Sequence, residues 1–244
     1  SISPDSTKVI YYWYNDEKED FDLRIAGLYG SGDRLLSGAR EGARSFNMDA
    51  WSSDGRHVYG EFLQKDEPVC LVRVSVADGS RQVIKTFDER RFFTVSSSPD
   101  GRYIAYDCAK NESSNRDIYI YDLKKKTEEP LIRHEANDKL LGWTPDGQHL
   151  FFTSDRNGTW DAWILRIEDG KSLGLPEVIK AGIGDVSPIG FTRDGSFYYT
   201  FNHQAWNVYT AKLDLDTGEV ISDPTPVRHV GKDGCPDWSP DGRY

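Results

Sequence analysis

A phrase built on Ser/Thr-x-Asp recurs along the chain at a near-constant interval. Its copies are Ser3-Pro4-Asp5-Ser6, Ser52-Ser53-Asp54-Gly55, Ser98-Pro99-Asp100-Gly101, Thr144-Pro145-Asp146-Gly147, Thr192-Arg193-Asp194-Gly195 and Ser239-Pro240-Asp241-Gly242. The aspartates are separated by 49, 46, 46, 48 and 47 residues. A period of this size means one supersecondary unit used repeatedly, because a single unit cannot bury its own apolar faces. Five periods fill the 244 residues, and the unbroken repeat argues for a single domain over 1–244.

One period shows the grammar. Arg91–Ser97 is a β-rich run, and Asp100-Gly101 is a tight turn in which glycine supplies a positive φ. Tyr103–Cys108 reads as a second strand, Asp117–Leu123 as a third, and Glu129–Arg133 as a fourth with Pro130 near its start. Four short strands with short connections form an antiparallel meander. The other periods repeat it, with second strands over Lys8–Tyr14, His57–Leu63, His149–Thr153 and Ser196–Phe201. Third strands fall over Phe21–Ala26, Val69–Val76, Asp161–Ile167 and Asn207–Leu213. The run Val9-Ile10-Tyr11-Tyr12-Trp13-Tyr14 is apolar or aromatic on both faces, which predicts a sheet covered on both sides. No segment carries a sustained 3.6-residue apolar period, so almost no helix is expected.

These features predict an all-β chain, a β-propeller of four-stranded blades. A bulky residue precedes most copies of the turn phrase, namely Trp51, Trp143, Phe191 and Trp238. These are expected to wedge between blades, with Asp54, Asp100, Asp146, Asp194 and Asp241 holding the turns. Ser97 stands at the bulky place in the third copy. The chain opens at a second strand and closes after a first strand, Gly234–Ser239. That strand either completes the blade begun by residues 8–39, giving a closed five-blade ring, or belongs to a larger propeller.

The repeats Ser98-Pro99-Asp100-Gly101-Arg102-Tyr103-Ile104-Ala105-Tyr106 and Trp238-Ser239-Pro240-Asp241-Gly242-Arg243-Tyr244 resemble those of TolB-type bacterial propellers. So does Phe152-Thr153-Ser154-Asp155-Arg156-Asn157-Gly158, followed by Asp161-Ala162-Trp163-Ile164. The copy at Asp5 lacks the glycine and the copy at Asp194 lacks the proline. The resemblance covers the whole chain. It implies a binding platform, a periplasmic or extracytoplasmic location, and three family roles: TolB itself, a module of a larger bacterial protein, or the propeller attached to a serine peptidase.

Composition narrows the partners. A formal charge of −10 argues against a nucleic-acid or anionic-membrane partner, which would want a basic face. No 18-residue apolar run is present, so no transmembrane segment is expected, and Ser1-Ile2-Ser3 does not read as a signal peptide. The three cysteines, Cys70, Cys108 and Cys235, lack C-x-x-C spacing and read as small buried hydrophobes.

No pattern reads as a catalytic centre, a metal site or a cofactor site. Gly170-Lys171-Ser172-Leu173-Gly174 matches a nucleophile-elbow pattern but lacks the strand–elbow–helix context. Ser154–Trp160 is one residue short of an aspartate box, and Asp214–Glu219 is better explained by a turn than by a calcium loop. The histidines lack metal-ligand spacing, with His203 and Gln204 the nearest approach to it. The fourth-to-first loops are the expected ligand-binding mouth, through Arg44, Asn47, Arg90, Arg91, His134, Asp138, Asp185 and Asp233. Three functions stay open: a non-catalytic scaffold for a protein or small-molecule ligand, an accessory propeller of a serine peptidase, and a metal-dependent sugar-acid lyase.

Overall fold

The β-branched and aromatic runs pair as successive antiparallel sheets, because such side chains suit a pleated surface packed on both faces. In the computed structural model, the described residues are 1–16, 20–38, 43–64, 67–87, 90–110, 115–192, 194–201, 209–212, 214, 216–217, 219–223 and 225–226. They contain no helix. The chain divides into two compact units, 1–201 and 202–244.

In the first unit, blade 1 is β1 (Lys8–Asn15), β2 (Asp20–Gly27) and β3 (Arg34–Gly38). Blade 2 is β4 (Ala43–Trp51), β5 (His57–Gln64), β6 (Val69–Ser75) and β7 (Arg81–Phe87). Blade 3 is β8 (Arg90–Ser97), β9 (Tyr103–Lys110), β10 (Arg116–Asp122) and β11 (Thr127–Ile132). Blade 4 is β12 (Asp138–Trp143), β13 (His149–Ser154) and β14 (Asp161–Glu168), with both β15 (Lys171–Ser172) and β16 (Glu177–Lys180) paired to β14. Blade 5 begins with β17 (Val186–Phe191) and β18 (Phe197–Phe201). The sheets run as meanders in chain order, except that in blade 4 both β15 and β16 pair with β14. In the second unit, β19 (Tyr209–Thr210) pairs with β20 (Thr225–Pro226). There the Asp214 carboxylate accepts the Asp216 and Thr217 N–H groups at 2.9 and 3.1 Å, so this segment is a turn.

The recurring phrase builds the same turn in the copies among the described residues. The Ser or Thr hydroxyl donates to the aspartate two residues on, at 2.6 Å in Ser52–Asp54, 2.5 Å in Ser98–Asp100 and 2.6 Å in Thr144–Asp146. The aspartate also accepts the N–H of the residue two further on, 3.0 Å from Arg56 and Arg102. The same hydroxyl oxygen then accepts the N–H that opens the second strand, 2.9 Å from His57 and from Tyr103. Three residue types therefore satisfy the backbone of the turn, which is why Ser/Thr recurs as faithfully as Asp. These bonds hold the Asp54, Asp146 and Asp194 carboxyls below their ordinary value, with the Ser or Thr hydroxyl the largest cause, and take Asp5 to about 2.

Gly101 lies at φ 70° and Gly55 at φ 68°. The first copy has Ser6 in the glycine's place, and Ser6 is held at φ 58°. A non-glycine residue there carries strain of order 1 kcal/mol. Ser6→Gly is accordingly expected to stabilise the protein by about 1 kcal/mol, read as a higher urea midpoint at unchanged slope.

Core side chains form clusters between adjacent blades. Trp51 packs with Ile10, Leu23 and Leu36 of blade 1. Phe87 meets Tyr106 edge-on at 5.4 Å between blades 2 and 3. Trp143 stacks on Tyr103 at 6.5 Å and 23° between blades 3 and 4. Phe151 meets Phe197 at 4.7 Å between blades 4 and 5. Trp51 and Trp143 are buried, Phe191 is half-buried, and Trp238 and Asp241 lie outside the described residues. Ser97 takes the wedge position differently: its hydroxyl donates to the Trp51 carbonyl at 2.5 Å, tying blade 3 to blade 2. Close packing also fixes Gly60, where a Cβ would stand 1.9 Å from the Asn47 carbonyl oxygen.

Cys108 is buried and Cys70 partly buried, and both are free thiols. Cys235 lies outside the described residues. One expectation fails. The aromatic run of β1 is not covered on both faces, since Trp13 is 59% exposed and Tyr14 47%. Ile10 faces blade 2, whereas Trp13 pairs with Asp22 on the opposite side of the sheet. Among the described residues of the first unit, the core clusters place no blade against that side.

Candidate functional site

Each blade presents the Asp turns at one end and the fourth-to-first and second-to-third loops at the other. At the loop end of blade 4, strand register places Asp138, Ser154 and Asp161 side by side. All three are buried. Arg156 reaches back from the loop after β13, donating to Asp138 at 2.7 Å and to the Ser154 hydroxyl at 2.9 Å. Its guanidinium lies 4.7 Å over the Trp163 ring. Burial raises the Asp138 carboxyl above its ordinary value, opposed by Ser154 and Arg156. Asp161 is shifted the other way. It accepts from the Gly182 N–H at 2.9 Å, the Thr159 hydroxyl at 2.8 Å and the Asn157 amide at 3.1 Å, and these bonds favour the ionised form.

Blade 3 repeats the device with other residues. Asp107 is fully buried; it accepts the Thr94 N–H at 2.6 Å and pairs with Arg116 at 3.1 Å. Burial raises its carboxyl, against Arg116 and the backbone N–H groups of Thr94 and Leu140. Leu140 belongs to β12, so Asp107 links blade 3 to blade 4. Arg116 stacks 3.6 Å over Phe93.

The loop between these blades is pinned from both sides. Asp117 accepts the His134 N–H at 3.2 Å, the Asn137 amide oxygen accepts the Arg116 N–H at 3.2 Å, and Asp155 accepts the Asn137 N–H at 2.9 Å. The His134 ring Nδ1 accepts the Ala136 N–H at 3.0 Å. Asp155, in the segment resembling an aspartate box, thus serves as a turn and a tether.

The expected mouth residues divide accordingly. His134 and Asp185 are exposed at the loop end, and Asp185 pairs with Lys139 at 2.7 Å; Asn47 is exposed but lies in the middle of β4, opposite Glu61, and not in a loop. Asp138 is a buried support for Arg156 and does not face solvent. The side chains of Arg44, Arg90 and Arg91, and all of Asp233, lie outside the described residues, as do His203 and Gln204. Sequence reasoning missed Arg116, Arg156, Asp107 and Asp161. A signal existed, because Asp22, Asp117 and Asp161 stand at similar places near the start of the third strands of blades 1, 3 and 4.

The chemistry of this end is electrostatic support. Asp107 and Asp138 are each matched to a guanidinium, and Asp161 to a backbone N–H, a hydroxyl and an amide. Ser172 lies elsewhere, exposed on β15 opposite Ile167, in a hairpin and not at a strand-to-helix elbow. Among the described residues no three of His, Cys, Asp and Glu are grouped to hold a metal ion, and no helix is long and apolar enough to cross a membrane.

Comparison with known proteins agrees with this architecture. An uncharacterized protein of Agrobacterium fabrum is 27% identical over 152 residues, 59% of this chain and 50% of that protein. The Tol-Pal system protein TolB of Alcanivorax borkumensis is 33% identical over 82 residues, 34% of this chain and 19% of that protein. The chain thus spans half or less of the curated relatives it matches. The crystal structure of TolB from Acinetobacter baumannii superposes with a TM-score of 0.64 at 21% identity, over 98% of this chain and 57% of that one. An oligogalacturonate lyase solved with manganese superposes with a TM-score of 0.58 at 15% identity, over 95% of this chain and 65% of that one, a likeness of fold alone. The family model described as the TolB beta propeller domain matches residues 3–244, and the chain belongs to that family.

Proposed function

We propose that this chain is a non-catalytic binding platform that recognises a protein or a small ligand at the loop end of its blades. The observation that carries the reading is the pairing of an exposed, mixed-charge rim with a rigid base. Arg133, His134, Glu135 and Asp185 are exposed at that end, while Asp107–Arg116 and Asp138–Arg156 lock the strands beneath. The Asp turns at the opposite end are nearly identical and fully engaged in their own hydrogen bonds, so they have little capacity to discriminate. Loops that differ from blade to blade on a fixed scaffold are how a repeat fold acquires specificity.

The rim of the proposal includes Arg44, Arg90, Arg91 and Asp233, and it omits Asp138 because a buried, paired carboxylate cannot meet a ligand. Exchanging charges by Arg90→Glu, Arg91→Glu and Asp185→Lys is expected to weaken partner binding at least about tenfold, a change of about 1.4 kcal/mol. The melting temperature should stay nearly constant, since exposed ion pairs contribute little to stability. Binding that persists in this variant but vanishes when the Asp turns are altered would place the partner at the other end.

A further inference from the structure

At the turn end, blades 1 and 2 enclose an open cleft of about 760 Å³. Its charged lining is of one sign. Lys8, Arg34 and Arg56 line it, with His57, and no Asp or Glu does. This is a departure in a chain with 40 acidic and 30 basic residues.

The carboxylates nearest in sequence are held in their own turns, where Asp5 is still attracted by Lys8, and Asp54 by Arg56 and His57. Asp5 accepts from Ser3 and Thr7, Asp54 from Ser52 and the Arg56 N–H, and Asp78 from Ser80. Asp33 is clamped by Arg24 at 2.7 and 3.1 Å and by the Tyr11 hydroxyl at 2.6 Å. Among the described residues no ion pair joins Lys8, Arg34 or Arg56 to a carboxylate; the Arg34 guanidinium donates to the Val76 carbonyl, which fixes it at the cleft.

The matching place in blade 3 shows that this is not a property of the repeat. Arg102 follows Gly101 as Arg56 follows Gly55, and Arg102 is neutralised by Asp122 at 3.1 Å and Asp169 at 3.6 Å. Asp122 sits opposite Tyr103 in register, and the corresponding residue opposite His57 is Ser75. Blade 2 thus has a hydroxyl where blade 3 has the acid; Ser75 lines the cleft with its side chain hydrogen-bonded to the Asp78 carboxylate.

A concave site of this volume is of small-molecule size. Three cations and a histidine, set against the Ile25 and Val76 walls, suit a carbon skeleton bearing several negative charges. We propose that the cleft between blades 1 and 2 binds a small organic polyanion, one with two or more carboxylates or phosphates. The site shares no residue with the loop-end rim, so it stands or falls independently of that reading.

The test is calorimetric titration of the full chain at low ionic strength with citrate and, separately, with inorganic pyrophosphate, which distinguishes carboxylate from phosphate recognition. Saturable binding of at least one probe is expected, weakening with added salt. Lys8→Gln combined with Arg56→Gln should lower the affinity at least about tenfold. Lys8→Arg combined with Arg56→Lys should hold it within about threefold, and Arg102→Gln should leave it unchanged. The exposed positions of Lys8 and Arg56 keep these variants foldable, and a melting curve for each confirms it. No saturable binding of either probe, equal binding in the Lys8→Gln/Arg56→Gln variant, or equal loss in Arg102→Gln would overturn the proposal.

Discussion

Trp143→Ala is expected to destabilise the protein by about 3–5 kcal/mol, the cost of truncating a buried aromatic to alanine. Trp143 is 6% exposed and sits in a cluster drawn from two blades, with Tyr103, Ile118 and Ile120 on one side and Leu150 and Leu165 on the other. Its ring stacks on Tyr103, and its backbone N–H donates to the Ser96 hydroxyl of blade 3 at 3.2 Å. Truncation leaves a cavity between two sheets whose strands are each tied into their own ladder, so neither sheet can collapse freely into it. Trp143→Phe keeps an aromatic ring against Tyr103 and should cost less than half as much. Urea unfolding of the three proteins checks this, and equal midpoints would show that Trp143 does not wedge the blades apart.

Arg156→Ala is expected to cost a further class of free energy, about 3–5 kcal/mol, because it strands a buried charge. Asp138 has no exposed surface, and Arg156 is its cationic partner at 2.7 Å. Without that partner the carboxyl, already raised by burial, rises further. The sign of the pH dependence follows. The folded variant then binds a proton more tightly than the unfolded chain, whose carboxyl titrates near its ordinary value of 3.8. Stability of Arg156→Ala should therefore recover as pH falls from neutrality toward that value, because the folded state takes up the proton first. The turn aspartates act oppositely. Asp5, Asp54, Asp146 and Asp194 are depressed, so their contribution is present above about pH 4 and lost below it, down to about 2 for Asp5. Recovery in the variant is thus confined to the window above about pH 4. Pairing Arg156→Ala with Asp138→Leu should restore much of the loss, since neither charge then remains buried. A loss that is independent of pH and unrelieved by Asp138→Leu would assign Arg156 to packing over Trp163 alone.

Much of the architecture was legible in the sequence because it rests on local chemistry. The Ser/Thr-x-Asp phrase closes a turn with hydrogen bonds that span five residues, and β-branched runs on either side need only alternate to pair. Strand positions such as Val69–Ser75 and Asp161–Glu168 follow within a residue or so of the pattern. Family membership follows from the same phrase, since its period and its residues recur through the chain.

The loop end was legible only in part. Loops rich in charge identified it, and His134 and Asp185 do lie exposed there. Yet Asp138, counted by composition as one more loop charge, is buried, and Arg156, counted as part of a turn, neutralises it. Nothing in sequence spacing distinguishes a solvated aspartate from one covered by a guanidinium folding back over eighteen residues. Ser97 likewise looked like a missing wedge until its hydroxyl was seen to reach the Trp51 carbonyl 46 residues earlier. The cationic cleft between blades 1 and 2 belongs to the same class. Lys8, Arg34 and Arg56 are scattered along the chain, and the acids beside them in sequence are held in their own turns without forming an ion pair to them among the described residues. Hydrogen bonds across two to five residues were determined by the sequence alone. Which charges meet, which are buried and which are left facing an open cleft was decided by the stacking of one sheet on the next, because burial and Coulomb attraction depend on distance in space and not along the chain.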